Sequence, residues 1–251
     1  MKKLKKWFDV NKLSLNQEKT KFMIFGNREK DDEVVLSIDG VVIERVSEFR
    51  FLGVIMDEKL TWKPHIAHVK KKMSKSIFIL NKVKHVLDCD SMRLLYCSLI
   101  SPYLSYCAEV WGNTYVTTLK PLYMLQKRAI RIVHKAHFRE HTNRLFIKSR
   151  VLKLEAVVKL QTLLFMFRAK SKMLPFNLQV LFKASSESGD SRRKYDFKHK
   201  FARTTQKQMC PSVIGIRMWN ALDDDLKGCS NTYTFKKTYK KMIFKQYEDI
   251  E

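Results

Sequence analysis

Phosphoryl-transfer chemistry needs carboxylates that converge on metal ions, so the clustered acids of this sequence are the first residues to weigh. Asp31-Asp32 follows the charged run NREK and reads as part of a solvated loop. Asp223-Asp224-Asp225 follows a short helical stretch and reads as a turn. Neither lies in an apolar strand–turn–strand hairpin that would present two aspartates to a shared metal site, so both are expected to be structural. His65-x-x-His68 places two imidazoles one helical turn apart, and His134, His137 and His141 make a second loose group. Zinc takes three or four ligands in a closed set. No Cys or carboxylate cluster joins these histidines, so they read as surface or phosphate-facing groups. Five cysteines lack CxxC spacing, and Cys97 and Cys107 fall in the most apolar segment, where core packing is expected. No Ser/His/Asp grouping, Walker A or GxGxxG pattern stands out. Catalytic residues, a metal site and a cofactor are therefore not expected within this chain.

The chemistry that remains is cationic. Lys and Arg number 49 against 25 Asp and Glu, a net charge of +24 and a pI of about 9.9. A field that strong favours polyanions, of which nucleic acid is the commonest. An anionic membrane surface is the rival, but the sequence has no lipidation motif and no purely interfacial helix. The cations are also patterned. Trp62, Ile66, Val69, Met73, Ile77, Leu80, Val83 and Leu87 step by three or four residues and form one apolar stripe, with Lys63, Lys70, Lys71, Lys75 and Lys82 away from it. From about Thr118 to Ala136, Leu119, Leu122, Leu125, Ala129, Ile132 and Val133 face one way and Lys120, Lys127, Arg128, Arg131 and Lys135 share the opposite arc. Two such helices would pack inward and track phosphates outward. The plainer reading is a solvated charged face. Acidic partners are nearly absent from Trp62 to Ala136, which favours the polyanion.

The elements that position these residues change character along the chain. Leu4 to Asn11 reads as the end of a helix, followed by the strand-like runs TKFMIF, VVLSI, VVIERV and FRFLGVIMD, the last with Gly in its middle. Asp39-Gly40 between the middle pair is a strong hairpin signal, because both turn positions need positive φ. Helical periodicity takes over from Trp62. Ser91 to Trp111 is apolar nearly all round and is expected to be a buried helix bent at Pro102, and Val151 to Lys170 a further helix rich in Leu and Phe. ASSESGDSRRK is a polar linker, ahead of FARTTQ, a short helix around Ile214 to Leu222 and a basic tail helix from Thr232 to Tyr247. Asp9 and Lys12 interrupt the apolar stretch that a signal peptide needs, and LLYCSLISPYLSYCA is too short to span a bilayer. A soluble intracellular protein, cytoplasmic or nuclear and not secreted, is expected.

The order WFDVNKLSLNQEKTKFMIF, SIDGVVIERVSEFRFLGVIMDEKLTWKPHI, LLYCSLISPYLSYCAEVWGNTY and LQKRAIRIV resembles the reverse transcriptase of non-LTR, LINE-like retrotransposons of the jockey or CR1 type. GIRMWNALDDDLK and the closing helix are similar to the end of such polyproteins. The resemblance implies an α+β chain: a palm remnant with primer-grip-like hairpins at 1–61, a basic helical thumb at 62–170, and a linker with a basic helical region at 171–251. It implies that Phe51, Leu52 and Gly53 form the primer grip and that Lys19 is a proton donor or phosphate contact. The implied partner is RNA, DNA or their hybrid. The parent polymerase would use Mg. Its metal-binding Asp-Asp hairpin would precede these motifs, so polymerisation by this chain alone is not expected. The alternatives are a thumb supplied in trans to a separate polymerase core, or an inert remnant.

Overall fold

Alternating periodicity gives way to helical periodicity near Trp62, and the chain folds accordingly, with the paired strands before that point and the long helices after it. The structure, a computed structural model, describes residues 2–16, 18–26, 34–38, 40–185 and 195–249. They fall into two compact units, 1–65 and 66–251. Asp31-Asp32, Asp39 and most of the ASSESGDSRRK segment lie outside the described residues.

The first unit opens with helix α1 (Lys2–Val10) and continues with strands β1 (Lys21–Phe22), β2 (Leu36–Ile38), β3 (Val41–Arg45), β4 (Glu48–Phe51) and β5 (Val54–Asp57). They make two small sheets. One has the order β1-β3-β2 and the other is the β4–β5 hairpin. Strand β2 pairs antiparallel with β3, but β1 pairs parallel with it, with Lys21 opposite Glu44 and ion-paired to it. FRFLGVIMD is a hairpin and not one strand. Phe51 pairs with Val54, so Leu52 and Gly53 are the two turn residues, with φ of +46° and +88°. Positive φ at both central positions is what a type I′ turn demands and what matches strand twist. Glycine takes that conformation freely, whereas Leu52 adopts it at a steric cost.

The buried carboxylate of Asp57 ends β5 and shapes the connection into the first long helix. Its two oxygens accept the backbone N–H groups of Thr61 at 2.9 Å and Trp62 at 3.0 Å. That clamp holds Leu60 and Trp62 in left-handed backbone, at φ +51° and +62°. Helix α2 (Lys63–Val83) starts directly after it. Trp62 therefore precedes the helix and does not head its stripe. Ile66, Val69, Met73, Ile77 and Leu80 are buried as the spacing required, and Val83 is half-buried.

The expected long helix from Ser91 to Trp111 is broken into three: α3 (Cys89–Leu99), α4 (Ser101–Ser105) and α5 (Ala108–Trp111). Proline is at home in a first turn and not in a helix interior. Pro102 accordingly sits at the start of α4, after Ile100 leaves helical geometry, and Cys107 turns left-handed at φ +50° before α5. Cys97 is exposed and Cys107 half-buried, so neither thiol belongs to the core as expected from its apolar surroundings. Helix α6 runs Val116–Val133, two residues earlier than its sequence signal, which places Pro121 in its second turn.

The buried helix of this unit is α8 (Leu154–Lys170), reached through α7 (Asn143–Lys148). It buries side chains around most of its circumference, from Leu154, Ala156 and Val158 to Met166, Phe167 and Ala169. Neighbours approach it closely at two glycines. A Cβ on Gly112 would sit 2.5 Å from Val158 Cγ2, and one on Gly215 would sit 2.8 Å from Met166 Sδ. Behind α8 come α9 (Phe176–Gln179), α10 (Thr205–Met209), a π-helical turn (Pro211–Gly215), α11 (Ile216–Asn220), α12 (Asp224–Lys227) and α13 (Thr232–Glu248). The IRMWN stretch ties the tail together. Trp219 Nε1 donates to the Tyr195 carbonyl at 2.8 Å and stacks on Phe235 at 5.9 Å, while the Asn220 amide donates to and accepts from the Phe197 backbone. Residues of α8, α11, α12 and α13 share one aromatic-rich core with Phe182 and Phe197.

Candidate nucleic-acid interface

Helix α6 has its core side set by Leu122, Gln126, Ala129, Ile130 and Val133, all buried. Its outward arc and the outer flank of α2 border a groove of about 910 Å³. Lys70 and Lys84 enter from α2 and the residue after it, and Arg128, Arg131 and Lys135 from α6 and its end. Met124, Leu125 and Ile132 supply apolar lining, with His85, His137 and Phe138 beside them. No carboxylate lines this groove among the described residues. Five cations with no carboxylate among the described lining residues create a positive potential inside a concave surface, where low-dielectric walls concentrate the field. Arg131 is fixed in place because its Nε donates to the backbone carbonyl of Glu140 at 2.8 Å.

Of the cations singled out in the sequence, Lys70, Arg128, Arg131 and Lys135 meet in this groove. Lys71 and Lys75 lie on the neighbouring exposed face of α2, around a shallow depression with Ala67, Ser74, Phe78 and Ile79. Lys82 reaches over the Phe78 ring at 5.5 Å and Lys127 over the Tyr123 ring at 4.5 Å. Lys120 is exposed outside the groove. Lys19 and Lys63 belong to unit 1–65, as do Phe51, Leu52 and Gly53 at the tip of the β4–β5 hairpin. Lys19 is exposed, with its backbone N–H donating to Asn16 Oδ1 at 3.0 Å. Phe51 and Leu52 are exposed, Leu52 to 75%.

Sequence periodicity missed Lys84, Met124 and Phe138. Lys84 and Phe138 stand just beyond helix ends, where a helical period no longer assigns a face, and Met124 is an apolar residue on a cationic arc. The visible signal for Phe138 was an aromatic set between His137 and Arg139 in a polar run.

Two histidines differ from the surface reading. His65 is buried, and its Nδ1 accepts the Ile55 backbone N–H at 3.3 Å, which supports the β5 strand. His134 is half-buried at the end of α6, with Nδ1 3.4 Å from Cys89 Sγ and Nε2 2.5 Å from Ser149 Oγ. Burial, aided by the Lys148 charge, holds its pKa below the ordinary 6.5.

A magnesium pair needs convergent carboxylates, and no three His, Cys, Asp or Glu side chains converge to hold a metal ion among the described residues. Asp223 precedes α12 as its cap residue and Asp224 pairs with Lys227 at 3.5 Å. The described residues do not bring such a set of carboxylates together. Among them, no helix is long and apolar enough to cross a membrane.

Comparison with known proteins gives a consistent set of relatives. The chain is 28% identical over 127 residues to the RNA-directed DNA polymerase from mobile element jockey of Drosophila funebris, covering 49% of this chain and 14% of that protein. It is 24% identical over 102 residues to the probable RNA-directed DNA polymerase from transposon BS of Drosophila melanogaster, covering 39% of this chain and 11% of the relative. A Pol polyprotein from the type-1 retrotransposable element R1 2 of Nasonia vitripennis is 27% identical over 117 residues, 42% of this chain and 28% of the relative. The matches thus span only a small part of the length of these relatives. No family model matches the chain, and no solved structure does. Over about half its length, the chain is homologous to part of the RNA-directed DNA polymerases of non-LTR, jockey-like retrotransposons.

Proposed function

We propose that the helical unit 66–251 binds nucleic acid as the thumb-like part of a LINE-type reverse transcriptase, gripping the phosphates of an RNA–DNA template–primer. The observation that carries this reading is the groove between α2 and α6, lined by Lys70, Lys84, Arg128, Arg131 and Lys135 with no carboxylate among its described residues. Cations of this kind bind backbone phosphate and position a duplex without reading its sequence. The β4–β5 hairpin, with Phe51, Leu52 and Gly53 at its tip, is the candidate primer grip. Lys71, Lys75, Lys82, Lys120 and Lys127 of the same unit add positive charge outside the groove, and Lys19 and Lys63 of unit 1–65 are candidate phosphate contacts of that unit. Phosphoryl transfer is assigned to metal ligands other than the described residues, so this chain by itself is proposed to bind and not to polymerise.

The test is binding of the purified chain to a labelled RNA–DNA primer–template and to single strands of equal length, across a range of salt. Each neutralised phosphate contributes a slope of about −0.9 in log K against log salt on a duplex. A slope corresponding to several contacts, with the hybrid preferred, supports the proposal. Weak binding without salt dependence refutes it.

A second reading, docking onto a separate polymerase core, is supported by the exposed apolar side chains Val41, Val42, Phe49, Phe51 and Leu52 of the small sheets. Unpaired strand edges with exposed apolar groups favour association. Co-purification with a jockey-like polymerase core lacking this region, with primer extension restored on mixing, tests it.

A further inference from the structure

The groove carries one feature that phosphate binding does not use. Phe138 is 69% exposed at its margin, in the turn that follows α6. Other aromatic side chains are exposed as well, and what sets Phe138 apart is its place on the margin of the cationic groove. This one is held in place. Arg131 Nε donates to the Glu140 carbonyl at 2.8 Å, the Glu140 N–H donates to the His137 carbonyl at 3.0 Å, and the Arg139 N–H donates to His137 Nδ1 at 3.3 Å. The ring has the Arg139 guanidinium 5.1 Å from its centroid and the His137 ring at 4.6 Å, tilted by 48°. A mostly exposed ring on a hydrogen-bonded turn, with a guanidinium against it and a row of lysines and arginines beside it, has the composition of a base-stacking platform. Inside an intact duplex no base face is available to such a ring, because every base is stacked on its neighbours.

We infer that Phe138 stacks on an unpaired nucleobase, so that the groove takes a single-stranded extension of a duplex, with phosphates on Arg128, Arg131 and Lys135. This inference rests on the nucleic-acid reading above and adds to it the class of ligand, a single-stranded overhang. Arg139 over the same ring supplies a further cationic contact to the adjoining phosphate.

The experiment compares two RNA–DNA hybrids of equal length, one blunt and one with a short template overhang carrying 2-aminopurine at its first unpaired position. Wild-type chain is expected to bind the overhang substrate more tightly and to quench the probe. Phe138→Ala is expected to lower affinity for the overhang substrate by roughly tenfold while leaving the blunt hybrid unchanged. Phe138→Trp is expected to retain both affinity and quenching. Unchanged circular dichroism and melting of the variants establish that an exposed substitution leaves the fold intact. Equal losses on both substrates, no loss on either, or an unquenched probe overturns the stacking role while leaving phosphate binding standing. Failure of the wild-type chain to bind either hybrid overturns the nucleic-acid reading itself, and the platform with it.

Discussion

The side-chain amide of Gln126 on α6 donates to the hydroxyl of Tyr96 on α3 at 2.9 Å, with both side chains buried. The same amide donates to the Leu152 carbonyl at 2.9 Å, and its oxygen accepts the Leu154 N–H at 2.8 Å. One glutamine thus joins α3, α6 and the start of α8 on the inner side of the helix whose outer side forms the groove. Burial raises the Tyr96 pKa far above the usual tyrosine value, so its hydroxyl stays neutral. Gln126→Leu orphans three buried polar groups, each costing about 1–3 kcal/mol. A loss of at least about 3 kcal/mol in urea unfolding is expected, against about 1 kcal/mol for Tyr96→Phe.

Acid is expected to loosen the end of α6 through His134. Its folded-state pKa lies below the ordinary 6.5 because burial and Lys148 disfavour the imidazolium. The unfolded chain therefore takes up a proton at a higher pH than the folded chain does. The stabilising contribution is fully present above the unfolded value and is lost as pH falls through and below it. Melting temperatures measured from pH 7.5 to 5 should fall more steeply for the wild-type chain than for His134→Gln. Parallel curves would contradict this.

Lys227 is 4% exposed and its ammonium donates to Asp196 at 2.8 Å and to the Asn220 carbonyl at 3.2 Å. Asp224 stays 3.5 Å from the ammonium, but it is largely exposed, so removing Asp196 leaves the buried charge with only a weak, solvent-screened partner and costs less than the about 3–5 kcal/mol of a fully stranded charge. Asp196→Asn should destabilise the tail measurably, while the Lys227→Met/Asp196→Leu double variant should recover much of the loss. Chemical denaturation of the three chains measures both effects.

The β4–β5 hairpin allows fold and binding to be separated. Asn tolerates the left-handed conformation that Leu52 adopts at φ +46° better than Leu does. Leu52→Asn should therefore hold or raise thermal stability. If the exposed apolar tip is a primer grip, the same change should weaken binding to a recessed primer terminus while sparing a blunt hybrid. Equal affinity for both termini in wild type and variant would remove the hairpin from the binding surface.

Helical segments with a strong single stripe were legible in the sequence. The buried positions of α2 and the extent of α13 follow their periodicity closely. The segment 91–111 was not, because an apolar run records burial and not continuity, and left-handed Cys107 breaks the helix without any Gly to announce it. The parallel pairing of β1 with β3 was hidden too, since it depends on contacts between residues far apart in sequence, such as Lys21 with Glu44. At the candidate interface, the charged arcs were visible but their meeting was not. Lys70 and Arg128 come together through packing that no local spacing reports. His65 looked like a surface group because a histidine pair one turn apart carries no sign of which partner will be buried.

A matched pair of charge-removal variants decides whether the groove binds nucleic acid. One replaces Lys70, Arg128, Arg131 and Lys135 with Ala. The other replaces Lys236, Lys237, Lys241 and Lys245, exposed on α13, and lowers net charge by the same amount. Binding to an RNA–DNA primer–template is measured for both across the same salt series. The groove variant is expected to lose at least about a hundredfold in affinity at physiological salt, with a slope reduced by about three to four contacts, while the α13 variant keeps most of its affinity. Equal losses from the two variants would mean that net charge alone draws the chain to nucleic acid, and would contradict the groove as the binding site.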